Sequence, residues 1–234
     1  HELRSITGLS AEAPVHLRGA TRPLAEALGR ERDLVLVDAR LVKFLDEKAS
    51  AGEHVVDVLR RARKKRRAAE LVELLRAATH RQHSIASSQL SHPGEVHLLV
   101  DIVRYELHGT ERWGVVSRQI AERSPPGTML PIYLHPAPSF RLGDPGDDMI
   151  FIGPGTGVAP FRAFLQERQQ RRDPGRSWLF FGSQHRATDF LYESDFDAFQ
   201  SAGVLTRIDT AFSRDQSEKI YVQHRMAEHG RELF

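Results

Sequence analysis

At 234 residues, with 40% hydrophobic and 27% charged side chains, the chain is long enough to bury a real core, and two small domains fit within it. The formal net charge of +2, from 33 basic against 31 acidic residues, argues against a nucleic-acid-binding protein. The sequence has no cysteine, which excludes disulfides and thiolate metal sites, and no apolar run of membrane-spanning length.

Residues up to about Ala78 read as mainly helical. Pro23–Leu28 and Ala39–Leu45 repeat apolar residues at spacings of three and four, and Val55–Leu59 and Leu71–Leu75 flank a basic run, Arg60–Arg67. That run invites a nucleic-acid reading. No aromatics interleave with it as a stacking platform requires, and a solvated helix face or connector explains it better. From Arg81 to about Arg141 the pattern turns to β: Glu95–Tyr105 is rich in β-branched and aliphatic residues, and Met129–Leu134 is a further candidate strand. Gly114–Ala121 turns into a short helix that Ser124-Pro-Pro-Gly127 ends. The turn cluster Asp144-Pro-Gly-Asp-Asp148 is the best domain boundary.

Beyond it, Met149–Ile152 reads as a buried strand, followed by Gly153, Gly155 and Gly157 and then a helix-compatible segment with Pro160 near its first turn. Strand, glycine turn and helix start together make a phosphate site, because the glycines let backbone approach a pyrophosphate and the helix start offers free N–H groups. A glycine turn by itself is often only a tight turn; the order strand, turn, helix favours nucleotide binding. Trp178–Gly182 and Val204–Ile208 read as second and third strands, the latter leading into Ala211–Gln216 and Lys219–Gln223. Strands alternating with helical patterns predict α/β structure with a parallel sheet, whose ligands sit at the carboxyl ends of the strands. Ser213, Arg214 and Lys219 follow the third strand. A hydroxyl, a guanidinium and an ammonium suit a 2′-phosphate and so favour NADP over NAD; without the glycine turn they would read as a solvated charged loop.

Six segments carry a family resemblance: Arg81-Gln-His-Ser-Ile-Ala-Ser-Ser88, Gly114-Val-Val-Ser117, Gly153–Arg162, Asp189-Phe-Leu-Tyr192, Ser213-Arg-Asp-Gln216 and Lys219-Ile-Tyr-Val-Gln223. In this order and spacing they resemble the reductase module of diflavin NADPH reductases, the sulfite reductase flavoprotein type above all. The resemblance implies mixed α+β and α/β architecture: a helical connecting region over 1–79, a partial antiparallel FAD-binding β-barrel over 80–146, and a parallel-sheet NADP-binding domain lacking its last strands over 147–234. It implies FAD and NADPH as cofactors, with FMN in an amino-terminal domain, so the chain reads as the middle of a longer reductase.

The site residues follow from the same resemblance. Arg81 meets the FAD phosphates, Gln82 and His83 belong to the flavin motif, and Ser84 sits by flavin N5 and assists hydride transfer. His80, Gln82 and His83 stand where the family has Pro, Leu and Tyr. Leu99, Val100, Asp101 and Tyr105 lie on a strand that lines FAD, although Leu99 and Val100 read as core by their own chemistry. Gly114, Val115, Val116 and Ser117 open a helix suited to the FAD pyrophosphate. Gly155, Thr156, Gly157, Ser213, Arg214, Lys219, Ile220, Tyr221, Val222 and Gln223 bind NADPH. The implied function is hydride transfer from NADPH to FAD with electrons passed onward, in sulfite reduction, to a hemoprotein (beta) subunit or another acceptor. The runner-up readings are another diflavin reductase, such as a cytochrome reductase or a nitric-oxide synthase reductase domain, and a nucleotide-binding remnant without turnover. A cytoplasmic setting, no membrane and no nucleic-acid partner are expected. The 12 histidines show no paired metal-ligand spacing with an acid on one helix face.

Overall fold

The structure, a computed structural model, describes residues 12–17, 20–30, 32, 34, 37–51, 53–63 and 67–233. Contacts divide the chain into two compact units: one holds the residues up to Arg81 with Ile102–Gly127, the other Gln82–Asp101 with the residues from Thr128 onward.

The first unit opens on an antiparallel hairpin, β1 (Pro14–Leu17) and β2 (Ala20–Pro23), with Val15 opposite Arg22 and His16 opposite Thr21. A mainly helical reading passes over it because each strand is only four residues long. Pro14 and Pro23 pair at the open end of the ladder, where a missing N–H costs least. Four seven-residue helices follow: α1 (Leu24–Arg30), α2 (Ala39–Leu45), α3 (Val55–Arg61) and α4 (Ala68–Leu74). Helices this short are marginal alone, so burial must hold them. Val15, Leu24, Leu28, Leu41, Leu45, Val58, Leu59, Leu71 and Val72 form one core. Local acids finish the helix starts: Asp38 accepts from Arg40 N at 2.8 Å, Asp57 from His54 N at 2.9 Å and Glu70 from Arg67 N at 3.0 Å.

Three arginines of the basic run, Arg60, Arg61 and Arg67, are paired locally. Arg61 reaches Glu53 at 2.6 Å and Glu47 at 3.2 Å, Arg60 lies 3.6 Å from Asp57, and Arg67 lies 2.8 Å from Glu70. Lys64, Lys65 and Arg66 lie outside the described residues. A second hairpin, β3 (Arg104–Leu107) and β4 (Thr110–Trp113), turns through His108 and Gly109, both at positive φ (51° and 70°), as a tight hairpin turn requires. Helix α5 (Val115–Arg123) follows directly.

Two sequence expectations need correction here. Glu95–Tyr105 does not form one strand: Leu98 makes an isolated bridge with Ile85, and the ladder starts only at Arg104. Met129–Leu134 forms no strand, and Met129, Ile132 and Leu134 are exposed. β-Propensity is realised only against a partner strand, and among the described residues no β-bridge forms at that segment. The antiparallel part of the fold is therefore two hairpins and single bridges among the described residues.

The second unit is α/β. It runs β5 (Met149–Pro154), a 3-10 turn (Gly155–Val158), α6 (Ala159–Arg171), β6 (Ser177–Ser183), α7 (Arg186–Asp189), α8 (Glu193–Ser201), β7 (Arg207–Phe212), α9 (Val222–Glu228) and α10 (Gly230–Leu233). The three strands form one parallel sheet in the order β5-β6-β7. The third strand begins later than Val204. The N–H groups of Val204 and Leu205 bond instead to Phe199 O, at 2.9 and 3.1 Å, and close the end of α8. Pairing starts with Thr206 N donating to Ser177 O at 2.9 Å. The core is largely aromatic, with Phe151, Phe161, Phe181, Phe196 and Phe212 around Leu165 and Leu179. Gly153 allows that packing: a Cβ there would lie 2.8 Å from Val158 Cα and 2.9 Å from Phe161 Cδ2.

Candidate nucleotide-binding site

At the carboxyl edge of the sheet, β5 runs straight into the turn Gly155–Val158 and then into α6. Gly155 has φ 52°, which favours glycine, and nothing stands within 4 Å of where its Cβ would be. Pro160 occupies the first turn of α6, where a missing N–H costs no helical bond. The remaining N–H groups of a helix start lack intrahelical acceptors and favour an anion. Thr156 and Gly157 are exposed.

The loop after β7 lies on the same edge. Ser213 N donates to Ser183 O and Arg214 N to Gln184 O, each at 2.9 Å, so this loop is fixed to the loop after β6. Asp215 completes the attachment by accepting from Arg186 N at 2.8 Å and by lying 2.9 Å from His185 Nδ1. The Arg186 N–H, and after it His185, hold the Asp215 carboxyl below the usual carboxylate range. Sequence reasoning gave Asp215 and His185 no role; the only signal was an acid directly after Arg214. Arg214 and Lys219 are exposed, and among the described residues neither side chain forms an ion pair. Ile220 is half-buried, Tyr221 is exposed at the start of α9, and Gln223 is exposed. Val222 packs under the edge: its Cγ1 lies 2.8 Å from where a Gly182 Cβ would be. The Ser213 hydroxyl, which donates to Ser183 O at 3.3 Å, and the exposed cations Arg214 and Lys219 stand at the same sheet edge as the glycine turn, and together they form a donor set that fits a phosphorylated nucleotide.

The flavin candidates divide between the two units. In the second, Gln82 and Ser84 are exposed, and His83 is half-buried with its Nε2 enclosed and without a hydrogen-bond partner. Leu99 packs against the aromatic core, Val100 is half-buried and Asp101 is exposed. In the first, Arg81 donates to Thr79 O at 2.9 Å and Thr79 Oγ1 at 2.7 Å. The Tyr105 hydroxyl lies 2.7 Å from His54 Nε2. Gly114, Val115, Val116 and Ser117 form the start of α5, with Val115 exposed. Ser117 is buried, and its Oγ accepts from Val103 N at 3.2 Å, so this hydroxyl ties the residue before β3 to the helix.

Sheet, turn and helix have the form of a nucleotide-binding domain, and residues 151–233, which contain them, match the family model described as the oxidoreductase NAD-binding domain. Three curated relatives extend the likeness over the chain. The sulfite reductase (NADPH) flavoprotein alpha-component of Bacillus subtilis is 52% identical over 168 residues, 71% of this chain and 28% of that protein. The protein of the same name from Zymomonas mobilis is 40% identical over 252 aligned residues, the whole of this chain and 42% of that protein, and the one from Sodalis glossinidius is 41% identical over 95% of this chain and 40% of its own length. The chain is similar along its length to sulfite reductase flavoprotein alpha-components and spans at most about two fifths of the length of these relatives. No helix among the described residues is long and apolar enough to cross a membrane.

Proposed function

We propose that this chain is the NADPH-docking and flavin-holding part of an NADPH-dependent flavoprotein reductase acting in sulfite reduction. The observation that carries the reading is the carboxyl edge of the parallel sheet, where nothing crowds Gly155 and the side chains of Arg214 and Lys219 are exposed. In this reading Gly155, Thr156 and Gly157 receive the pyrophosphate of NADPH. Ser213, Arg214 and Lys219 hold its 2′-phosphate, and the segment Ile220–Gln223 lies along the adenosine.

On the flavin side, Arg81, Gln82, His83 and Ser84 hold the ring and the near phosphates of FAD. Leu99, Val100, Asp101 and Tyr105 line it, and Gly114–Ser117 offer helix-start N–H groups to its pyrophosphate. Bound NADPH supplies a hydride and bound FAD takes it up; the chain's residues bind, orient and exclude water. Ser84, exposed and short, is the residue assigned to orient the nicotinamide against the flavin. The proposal also takes 1–79 as a connecting region, 80–146 as the flavin-binding part and 147–234 as the NADP-binding part. FMN would bind in the additional length that the relatives have, and a hemoprotein subunit would receive the electrons in the cytoplasm, where NADPH is supplied.

Arg214→Ala tests the assignment. A charge-assisted bond to phosphate contributes about 1.5–3 kcal/mol. Affinity for 2′,5′-ADP should therefore fall roughly 10- to 100-fold, while affinity for 5′-AMP stays within error, as read by calorimetry. Equal losses for both nucleotides would remove Arg214 from the 2′-phosphate.

A further inference from the structure

The loop that follows the flavin motif brings together three side chains of ligand type that the proposed reaction does not use. His92, Glu95 and His97 each place one ligand atom within 4.8 Å of the other two. Sequence inspection passes over this set because its spacing, His-x-x-Glu-x-His, belongs to no helix face; the loop path alone closes it. The rings of His92 and His97 lie 4.3 Å apart between centroids, and Glu95 Oε2 lies 3.1 Å from His97 Nε2.

The backbone beneath these residues is pinned at both ends. His92 N donates to Ser88 O at 2.9 Å and Ala86 N to His97 O at 2.8 Å, while His97 N donates to Ser87 Oγ at 3.0 Å. Between them, Glu95 N bonds to His92 O at 3.2 Å, and Gly94 N and Glu95 O are held by the Gln89 amide at 3.3 and 2.5 Å. Ser88 N in turn donates to Gln166 Oε1 of α6 at 2.9 Å. The loop is therefore ordered before any ligand arrives, which lowers the entropy cost of gathering three ligands. His92 borders a shallow depression that Ser91, Arg162, Gln166, Gln169 and Asp195 also line, so water can reach the cluster.

We propose that His92, Glu95 and His97 form a binding site for a divalent cation of the zinc class, completed by water. Two imidazoles and one carboxylate favour Zn²⁺, Ni²⁺ or Cu²⁺ over Mg²⁺ or Ca²⁺, which take oxygen ligands. Neighbouring ligands of a tetrahedral ion stand about 3–3.5 Å apart at ~2.1 Å from the metal, so side-chain rotation within the loop closes the set. The Gln166 amide nitrogen lies 3.2 Å from His92 Nε2, so a metal on that atom must displace the amide N–H from its lone pair. Arg162 weakens the site without abolishing it. Its Nη1 lies 3.4 Å from His97 Nδ1, but the guanidinium is bonded to the Asp195 carboxylate and, at 2.8 Å, to Ala86 O. A metal on His97 Nε2 requires the ring proton on Nδ1, against Arg162, which makes the site weaker than a structural zinc site.

The test is a calorimetric titration of the purified chain with ZnCl₂, with MgCl₂ as the control cation and His97→Gln and the exposed Glu95→Gln as variants. Circular dichroism checks that each variant keeps its fold. The expected result is one Zn²⁺ per chain at micromolar affinity, weakened at least ~10-fold by either substitution, as loss of a metal contact entails, and no comparable Mg²⁺ binding. Absence of saturable Zn²⁺ binding in the micromolar range, or binding that both folded variants retain at full strength, would overturn the proposal.

Discussion

Arg168 and Asp173 show what single residues contribute at the amino end of the sheet. Their side chains are almost fully enclosed, 1% and 2% exposed, and lie 3.1 Å apart. Asp173 also accepts from Gly175 N and Gly146 N, each at 2.9 Å, and Arg168 donates to Asp147 O at 3.0 Å. Burial alone would push the Asp173 carboxyl up; the two N–H groups and the Arg168 charge outweigh it and hold the carboxyl below its ordinary value. A carboxylate lowered in the folded state adds stability above its unfolded pKa, near ~3.9, and loses it as pH falls through the lower folded value. Asp173→Asn leaves a buried guanidinium without a counter-charge, so urea unfolding at neutral pH should show a loss of about 3–5 kcal/mol. The gap between the two proteins should narrow as pH falls below ~4; a gap independent of pH would show that the charge is immaterial.

Glycines at the turn differ in what they permit. Gly153→Ala would press a methyl against the backbone of Val158 at 2.8 Å and the Phe161 ring at 2.9 Å, whereas Gly157→Ala would meet nothing nearer than Pro154 Cδ at 3.9 Å. Gly153→Ala is therefore expected to cost about 1–3 kcal/mol in urea unfolding, and Gly157→Ala much less; equal costs would refute the packing argument.

Among the elements, helix α6 bears on more of the second unit than the glycine turn at its start. Its Arg162 donates to Ala86 O at 2.8 Å and its Gln166 accepts from Ser88 N at 2.9 Å, so one helix secures the strip of chain just after His83 and Ser84. Gln166→Leu would leave the Ser88 N–H buried without an acceptor, a penalty of about 1–3 kcal/mol. Hydrogen exchange at Ser88 should accelerate while exchange in β6 is unchanged; uniform acceleration in both would indicate general loosening instead.

Which elements could be read from the sequence depended on how local their causes are. The β5-turn-α6 unit was legible because an apolar run, spaced glycines and Pro160 all act within a few residues, although the strand expected to be buried exposes Ile150 and Ile152. β7 was misplaced because Val204 and Leu205 look strand-like yet cap α8 through Phe199 O, a choice made by the tertiary contact. Met129–Leu134 carried β-propensity that no described neighbour realises. At the candidate site, Arg214 and Lys219 stood out by charge, whereas Asp215 and His185 act through a contact 30 residues apart in sequence that no local pattern announces.

Taken whole, the chain joins a small helical and hairpin unit to an α/β unit, and its likeness to sulfite reductase flavoprotein alpha-components runs through both. In the proposed function, a 2′-phosphorylated dinucleotide would sit at the carboxyl ends of β5 and β7 in the α/β unit. The most direct measurement is an amide chemical-shift titration of the isotope-labelled chain with NADP⁺. The account predicts that the largest shifts fall on Gly155, Thr156, Gly157, Ser213, Arg214 and Lys219, and that NAD⁺ moves the last three far less. Shifts confined to other parts of the chain, or an equal response of Ser213, Arg214 and Lys219 to NADP⁺ and NAD⁺, would contradict it.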